Sequence, residues 1–123
     1  MPRFVILTHD HPFPHWDLLL ENGDVCRTWR LLAKLNSQIG DIAAEQISDH
    51  RSTYLEYEGP VSGNRGTVKR WDAGTFEWRV NQPQFCEIRL AGTRWQGIVS
   101  LEQVDGQSWR LFRIHESEFE VES

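Results

Sequence analysis

Three histidines and two aspartates lie close together near the start of the chain. If the segment from His15 onward is a β-strand, alternate side chains share a face, so His15 and Asp17 point the same way. Adjacent residues on one face of a strand are about 7 Å apart, which lets both side chains lean onto a single ion. Two imidazoles and a carboxylate with open coordination positions suit Mn²⁺, Zn²⁺ or Fe²⁺. The sequence therefore predicts a divalent metal bound by His9, His15 and Asp17.

The same cluster also fits a simpler structural role. Histidine and aspartate beside a proline-rich loop can be turn and cap residues with solvated side chains. Asp10 fits either a turn or a carboxylate that orients a ligating imidazole, and His11 fits a solvated side chain. The spacing alone leaves both interpretations open.

The elements around the cluster must bring His9 beside His15. The apolar, β-branched segment Arg3–Thr8 ends just before His9. Pro12 and Pro14 stiffen the connection that follows and could return the chain beside its own start. The opposite face of the second strand carries only apolar side chains, those of Trp16, Leu18 and Leu20. This face is expected to lie against the core.

Turn signals divide most of the remaining chain into short strands. The predicted strands and turns are Arg3–Thr8, His15–Glu21, the turn Asn22-Gly23, Asp24–Leu32, Gly66–Trp71, the turn Asp72-Ala73-Gly74, Thr75–Val80, Phe85–Leu90, Gln96–Val104, the turn Asp105-Gly106 and Ser108–Ile114. Ala33–Ser48 reads as helix or loop, and Ser52–Arg65 as mostly loop with a short strand near Tyr54–Glu58. The acidic tail His115–Ser123 is expected to be a frayed end. This pattern predicts a mainly β barrel or sandwich in one domain, residues 1–123.

Charge and composition exclude several classes of protein. The net charge of −5 argues against a protein that coats nucleic acid nonspecifically, because such proteins carry a surplus of Lys and Arg. A site that grips one phosphate through a metal remains compatible with it. No apolar stretch approaches the roughly 20 residues that span a bilayer. With one basic residue and a short apolar run, the first eight residues are not expected to act as a signal peptide. Cys26 and Cys86 are expected to be reduced core thiols in a cytoplasmic protein.

Four ordered motifs resemble the 3′-phosphoesterase domain of the bacterial DNA ligase D family of nonhomologous end joining, a domain also found in stand-alone proteins. The first is similar to the family's H-D-x5-H-x-D-x-R-L-E signature and runs from His9-Asp10 through His15-Trp16-Asp17 to Glu21. The other matching segments are Asp49-His50 with Tyr54 and Glu58-Gly59, then Gly66-Thr67-Val68 with Trp71-Asp72 and Gly74-Thr75, and finally Leu90-Ala91-Gly92 with Gly97, Trp109 and Leu111. The resemblance covers nearly the whole chain.

The resemblance implies a compact, largely antiparallel β-barrel with small helical or loop segments. It implies a Mn²⁺-dependent enzyme, with Zn²⁺ as an alternative metal, that removes a phosphate or ribonucleoside from 3′ ends of DNA or RNA–DNA. A DNA ligase or polymerase of end joining is an implied partner, and no membrane is. By the same resemblance His9, His15 and Asp17 bind the metal, and His50 and Tyr54 serve the phosphate side of the site. Asp10 and Glu21 belong to the active-site neighbourhood.

Leu19 departs from this family pattern, because the signature has an arginine at its position. An arginine can hold a phosphate with two charge-assisted hydrogen bonds, whereas leucine can form none. Arg51, Arg65 or Lys34 could replace it from another direction. Three functions follow: an active 3′-phosphoesterase, a catalytically weak or inactive metal-binding module of DNA end repair, or a small-molecule metalloenzyme on a reused barrel.

The tryptophans could serve as stacking platforms for single-stranded bases. Trp71, Trp78 and Trp109 nevertheless fall in the predicted strands of an all-β chain, and Trp95 directly precedes one. Packing in the core or barrel wall is therefore the prediction for them.

Overall fold

The computed structural model describes residues 1–33 and 40–115. Within these ranges the chain forms nine β-strands and one short 3-10 helix, Ser52–Leu55. The strands are β1 Arg3–His9, β2 His15–Asn22, β3 Val25–Leu31, β4 Gly40–Arg51, β5 Gly59–Pro60, β6 Thr67–Asn81, β7 Phe85–Gly92, β8 Gln96–Asp105 and β9 Ser108–His115. The described ranges contain no helix with the length and apolar character that a bilayer crossing would need.

Eight of these strands close into an antiparallel β-barrel. Their order is β1-β2-β3-β4-β9-β8-β7-β6, and β6 pairs back with β1. The closing strand β6 is long because its first part pairs with β1 and its second part with β7. Strand β5 lies outside the barrel and pairs only with the start of β6 in the described residues. The prediction of a mainly β, largely antiparallel barrel is confirmed.

One predicted hairpin is wrong, because Asp72-Ala73-Gly74 is not a turn. The stretch lies in the middle of β6, which runs without a break. Gly74 is required there by close approach of two strands, since a Cβ at this position would lie 2.2 Å from the carbonyl oxygen of Ala91 on β7. The Asp72 carboxylate instead accepts backbone hydrogen bonds from the turn between β7 and β8, at Thr93, Arg94 and Trp95.

The region Ala33–Ser48, predicted as helix or loop, contains a strand instead. Strand β4 begins at Gly40 and pairs with β3 on one side and β9 on the other. Its Ile42 and Ala44 pack against the barrel interior. Pairing with a strand on each side thus stabilises a strand that the local sequence pattern favours only weakly. Residues 34–39 of that prediction, and 116–123 of the predicted tail, lie outside the described residues.

The predicted short strand near Tyr54–Glu58 is also wrong. The chain forms the 3-10 helix Ser52–Leu55 there, and only Gly59–Pro60 pairs as a strand. Leu55 is buried against the outside of the barrel. Burial of this side chain, rather than strand pairing, sets the local conformation.

The first hairpin turns one residue later than predicted. Gly23 and Asp24 form the turn, and Asn22 pairs with Val25. Gly23 has a φ of +70°, and type II′ hairpins favour glycine at the first central position. This register places Arg30 of β3 directly across from Asp17 of β2.

Apolar side chains form two separate clusters, one on each face of the barrel wall. The inner core draws on all eight barrel strands and includes Phe4, Ile6, Leu18, Leu20, Trp29, Leu31, Ala44, Phe76, Cys86, Ile88, Leu90, Trp95, Val99, Leu101, Trp109 and Leu111. The outer cluster joins β1, β2, β3 and β6 to the segment after β4 and consists of Val5, Leu7, Leu19, Cys26, Leu55, Val61 and Val68. The segment after β4 therefore covers part of the barrel's outer surface.

The tryptophans and cysteines occupy the positions predicted for them. Trp95 and Trp109 are buried in the inner core, and Trp71 and Trp78 pack against it half-buried. Both cysteines are buried and unpaired. Cys26 belongs to the outer cluster and Cys86 to the inner core, so the barrel wall separates the two thiols.

Candidate metal centre and its cavity

The end of β1 and the start of β2 place the predicted ligands side by side. His9 lies directly across from His15 in the antiparallel pair, and Asp17 follows two residues along β2. The two imidazole rings are 4.9 Å apart between centroids. One ligand atom from each of the three residues lies within 4.8 Å of the others. The loop Asp10–Pro14 thus returns the chain beside its own start, as its prolines predict.

Two backbone carbonyls determine which nitrogen of each imidazole carries the proton. His9 Nε2 is 2.8 Å from the carbonyl oxygen of Arg65, and His15 Nδ1 is 2.7 Å from that of Phe13. A carbonyl only accepts, so these two nitrogens carry the protons. In the neutral rings, His9 Nδ1 and His15 Nε2 then present lone pairs toward Asp17, at 3.3 Å and 3.1 Å from its carboxylate oxygens. Histidines that bind metals are held in this way, with the other ring nitrogen donating to a carbonyl or carboxylate.

The buried atoms of the cluster are incompletely satisfied. His15 Nε2 and Asp17 Oδ1 are buried, and neither forms a well-oriented hydrogen bond with the described residues. Buried polar atoms of this kind are rare and need a partner. A divalent cation accepts lone pairs from both imidazoles and from a carboxylate, which is a donor set suited to Mn²⁺ or Zn²⁺. The residues present therefore fit a metal.

The cluster is electrostatically coupled. Burial alone would raise the pKa of Asp17, but hydrogen bonds from His15 and His9, which form when a proton lies between ring and carboxylate, and charge attraction from both rings outweigh burial and lower the pKa to about 2. The hydrogen bond that the protonated His9 ring donates from Nδ1 to Asp17 raises the pKa of His9 above its ordinary 6.5, against the opposing effect of burial. Asp17 is therefore a carboxylate at neutral pH, and protons compete with cations for His9.

A cavity of about 790 Å³ opens beside the cluster on the outer surface of the barrel. Its lining includes His9 and Asp17 of the cluster, and its other polar residues include Arg30, Arg51, Arg65, His11, His50, Asp49, Ser48, Ser62, Thr53, Tyr54 and Tyr57. Three arginines thus face two aspartates, in a chain whose net charge is −5. The cavity is locally rich in cations and suits an anionic ligand.

His50 and Tyr54 lie in the same cavity as His9 and Asp17. Their rings meet edge to face at 5.5 Å. His50 Nδ1 donates to the carbonyl oxygen of Ser48 at 3.0 Å, which leaves Nε2 to accept a proton or, in the charged ring, to donate one. The structure therefore brings both residues to the cavity that contains the cluster.

Asp10 and Glu21 are placed apart from the three candidate ligands. The Asp10 carboxylate accepts a hydrogen bond from the backbone N–H of Thr67 at 2.7 Å and so holds the start of β6. Glu21 lies four residues along β2 from Asp17, about 13 Å of strand, and accepts a hydrogen bond from the backbone N–H of Arg3 at 2.8 Å. Asp10 still affects the cluster, since its charge contributes to the raised pKa of His9.

The family model of the DNA ligase D 3′-phosphoesterase domain matches residues 7–103. The chain belongs to this family. Its relatives include the multifunctional non-homologous end joining protein LigD of Mycobacterium bovis and the corresponding DNA repair protein LigD of Mycobacterium tuberculosis, each 31% identical over 120 residues and 90% of this chain. The match covers only 16% of each of those proteins.

Leu19, the position of the arginine in the phosphoesterase signature, is sealed off from the cavity. Its side chain is fully buried in the outer cluster, where Leu55 and Val61 cover the barrel wall. Of the cations suggested as replacements, Arg51 and Arg65 do line the cavity, and Lys34 lies outside the described residues. In this chain the side chain at position 19 therefore contributes to apolar packing and not to the lining of the cavity.

Arg30 is a charged cavity residue that the sequence patterns did not identify. It lines the cavity from β3, directly across from Asp17. The signal was present in the first hairpin, because placing the turn at Gly23-Asp24 pairs Asp17 with Arg30. Placing the turn at Asn22-Gly23 pairs Asp17 with Thr28 instead, so Arg30 is no longer assigned to the level of Asp17.

Proposed function

We propose that this chain is a metal-dependent phosphoesterase that acts on 3′ ends of DNA or of RNA–DNA hybrids in end repair, removing a 3′-phosphate or ribonucleoside. One observation carries the proposal: two imidazoles with carbonyl-fixed tautomers converge on a buried, incompletely bonded carboxylate at the edge of a cation-rich cavity. Membership of the 3′-phosphoesterase family supports the reaction class.

In this proposal His9 Nδ1, His15 Nε2 and Asp17 hold the metal, with Mn²⁺ as the preferred ion and Zn²⁺ as the alternative. When bound, such an ion supplies Lewis-acid polarisation of a phosphoryl oxygen and a more acidic water. The carbonyls of Arg65 and Phe13 keep both rings oriented and hold their protons away from the cluster. Asp10 supports this arrangement from outside the cluster by fixing the start of β6.

His50 and Tyr54 are the candidates for the phosphate side of the reaction. His50 Nε2 hydrogen-bonds the phosphate or protonates the 3′ oxygen as its bond to phosphorus breaks. Tyr54 packs against the His50 ring and limits its orientation. Glu21 supports the site indirectly. Near the end of β2 that is distant from the cluster, it accepts a hydrogen bond from the backbone N–H of Arg3 and so ties β2 to the start of β1.

The partners and the context of the reaction are also proposals. The chain spans 16% of the multifunctional LigD proteins that it resembles. Because those relatives are non-homologous end joining proteins, we propose that a DNA ligase or polymerase of end joining acts on the trimmed end, in the cytoplasm. We propose that residues 1–123 form a single phosphoesterase domain in that process.

A primer–template duplex with a recessed 3′-phosphate tests the activity. Inorganic phosphate is measured with Mn²⁺ and with excess EDTA for the natural chain, for Asp17→Asn and for Asp105→Asn, which makes the same change at the exposed end of β8. We expect Mn²⁺-dependent release from the natural chain and from Asp105→Asn, and none from Asp17→Asn. Release that persists in Asp17→Asn would contradict the site.

The buried Leu19 favours a second candidate, a metal-binding end-repair module with little or no catalysis. A family member without the signature arginine has lost one cation that would stabilise phosphate charge. The same assay separates the two functions. Tight Mn²⁺ binding without phosphate release would support the module and overturn the enzyme.

A further inference from the structure

We propose that Arg30 is the residue that binds the substrate phosphate in this chain, in place of the arginine absent at position 19. The inference rests on the proposed function for the presence of a 3′-phosphate in the cavity. Arg30 lies directly across from Asp17 in the β2–β3 pair. Side chains of directly opposed residues leave the same face of a sheet about 5 Å apart. Arg30 thus lines the cavity beside the metal cluster.

The guanidinium of Arg30 has hydrogen-bond donors available for a ligand. Its nearest acid is Glu45 on β4, with Nη1 and Oε1 3.9 Å apart and both side chains partly exposed. Its Nε is buried and has no hydrogen-bond partner among the described residues. The ring of Phe13 lies 5.6 Å from the guanidinium carbon and limits its movement on one side. A long, partly solvated ion pair contributes little to stability, so a phosphate that accepts two hydrogen bonds from the guanidinium can replace it.

The other two arginines of the cavity are less suited to this role. Arg65 already donates from Nε to the carbonyl oxygen of Ser62 and from Nη2 to its hydroxyl, at 2.7 Å and 3.1 Å. Arg51 pairs with Val25, which faces Asn22 on β2. It therefore lies five residues from the level of Asp17, about 17 Å along the strands.

The position of Arg30 also explains how the signature arginine could be lost. Leu19 is fully buried beneath the segment that covers the outer cluster, so a cation there would be enclosed in apolar surroundings. Arg30 reaches the cavity from the neighbouring strand without disturbing that packing. The phosphate would then lie on the β3 side of the metal cluster, between Arg30 and the ligands.

Binding of matched DNA ends tests the proposal without turnover. The probe is a fluorescent primer–template duplex with a recessed 3′-phosphate, compared with the same duplex ending in a 3′-hydroxyl, and anisotropy is measured in EDTA. The preference for phosphate is the ratio of the two dissociation constants. We expect Arg30→Met to reduce this ratio about 10- to 100-fold, the range for losing charge-assisted hydrogen bonds. Arg30→Lys should retain part of it, because lysine keeps the charge and loses the fork.

Arg110→Met is the matched control. Arg110 is also a strand arginine with an acid 3.9 Å away, Asp41. We expect this variant to keep the full preference. Arg51→Met and Arg65→Met should each reduce the ratio less than Arg30→Met does. Thermal unfolding and Mn²⁺ titration of every variant establish that the barrel and the metal site are intact.

The outcomes separate this inference from the proposed function. An undiminished preference in Arg30→Met overturns the assignment, as does a larger loss in Arg51→Met or Arg65→Met. A natural chain without any preference for the 3′-phosphate overturns it too, even if Mn²⁺-dependent hydrolysis is observed. The preference for phosphate could depend on Arg30 in a chain that releases no phosphate with Mn²⁺. That result would support Arg30 as the phosphate ligand and contradict only the proposed hydrolysis.

Discussion

Two buried aspartates, each preceded by a tryptophan, have opposite environments in this barrel. Asp72 is 4% exposed, and its carboxylate accepts hydrogen bonds from four backbone N–H groups, those of Ala73, Thr93, Arg94 and Trp95. Asp17 is 2% exposed, faces two imidazoles, and keeps one oxygen without a well-oriented hydrogen bond among the described residues. Burial is nearly the same at both sites.

The difference lies in what completes each carboxylate, that is, in which groups satisfy its capacity to accept hydrogen bonds. Backbone N–H groups complete Asp72, which also interacts electrostatically with the buried Arg113. The fold itself therefore stabilises this carboxylate, which serves the turn between β7 and β8. The partners of Asp17 are imidazoles whose lone pairs face the same point, so the group is complete only with a proton or a cation between them. A buried carboxylate completed by backbone is structural, whereas one completed only by titratable ligands is a candidate functional site.

The largest expected effect is the loss of metal binding on changing Asp17. Calorimetric titration should show about one Mn²⁺ per natural chain, and Asp17→Asn, His15→Ala or His9→Ala should weaken binding about 100-fold or more, because each removes one of three protein ligands. His11→Ala, an exposed histidine of the same loop, should bind normally. Unchanged affinity in His15→Ala would contradict the site as described.

The substitution Leu19→Arg places a cation of the protein itself near Asp17. It tests whether such a cation could complete the Asp17 carboxylate, as the backbone completes Asp72. Leu19 is fully buried among apolar side chains, so the guanidinium would be enclosed without partners. We expect a loss of about 3–5 kcal/mol in the free energy of unfolding, and 3′-phosphatase activity that is unchanged or lower.

Leu19→Met is the control for this substitution, because it keeps the volume and should cost less than about 1.5 kcal/mol. The measurement is urea denaturation of both variants, followed by the phosphate-release assay. A stable Leu19→Arg protein with raised activity would show that position 19 does reach the phosphate, and would support the weak-module candidate for the natural chain.

The residues of these two aspartate sites show how far the sequence could predict the structure. Alternation along His15–Glu21 predicts correctly that Asp17 shares a face with His15, because the strand period of two depends only on local geometry. The same local rules fail at Asp72, where Asp-Ala-Gly reads as a turn. Its actual role depends on a turn some twenty residues later, and no local pattern contains that pairing.

Arg30 and Leu19 illustrate the second limit. Assigning Arg30 to the site requires the hairpin register, and a two-residue error in pairing hides it. The burial of Leu19 requires knowing that the segment with Leu55 and Val61 folds onto the outside of the barrel. Alternation predicts which face a side chain leaves from, but what covers that face is a tertiary property.

Asp72→Asn tests the structural half of the comparison. An amide offers one oxygen where the carboxylate offers two, so at least one backbone N–H of the turn loses its acceptor. We expect the free energy of unfolding to fall by about 2–4 kcal/mol, with Mn²⁺ affinity of the folded protein unchanged. Urea denaturation and calorimetry measure the two quantities. A variant of normal stability that fails to bind Mn²⁺ would reverse the roles assigned to the two aspartates.

The smallest expected effect is the pH dependence of Mn²⁺ binding, which should reflect His9 and not Asp17. The pKa of His9 is raised above 6.5, chiefly by its hydrogen bond to Asp17, and a protonated imidazole cannot bind a metal. As the pH falls through that raised value, each bound Mn²⁺ must displace a proton, so the apparent affinity should fall by up to about tenfold per pH unit. The pKa of Asp17 is about 2, so this carboxylate stays charged and adds no dependence between pH 5 and 8.

Titrations across that range should therefore show affinity that rises with pH and levels off above the His9 pKa, with the same profile in Asp72→Asn. An affinity that stays constant down to pH 5 would mean that His9 is not a ligand, and that Asp17 is completed in some other way.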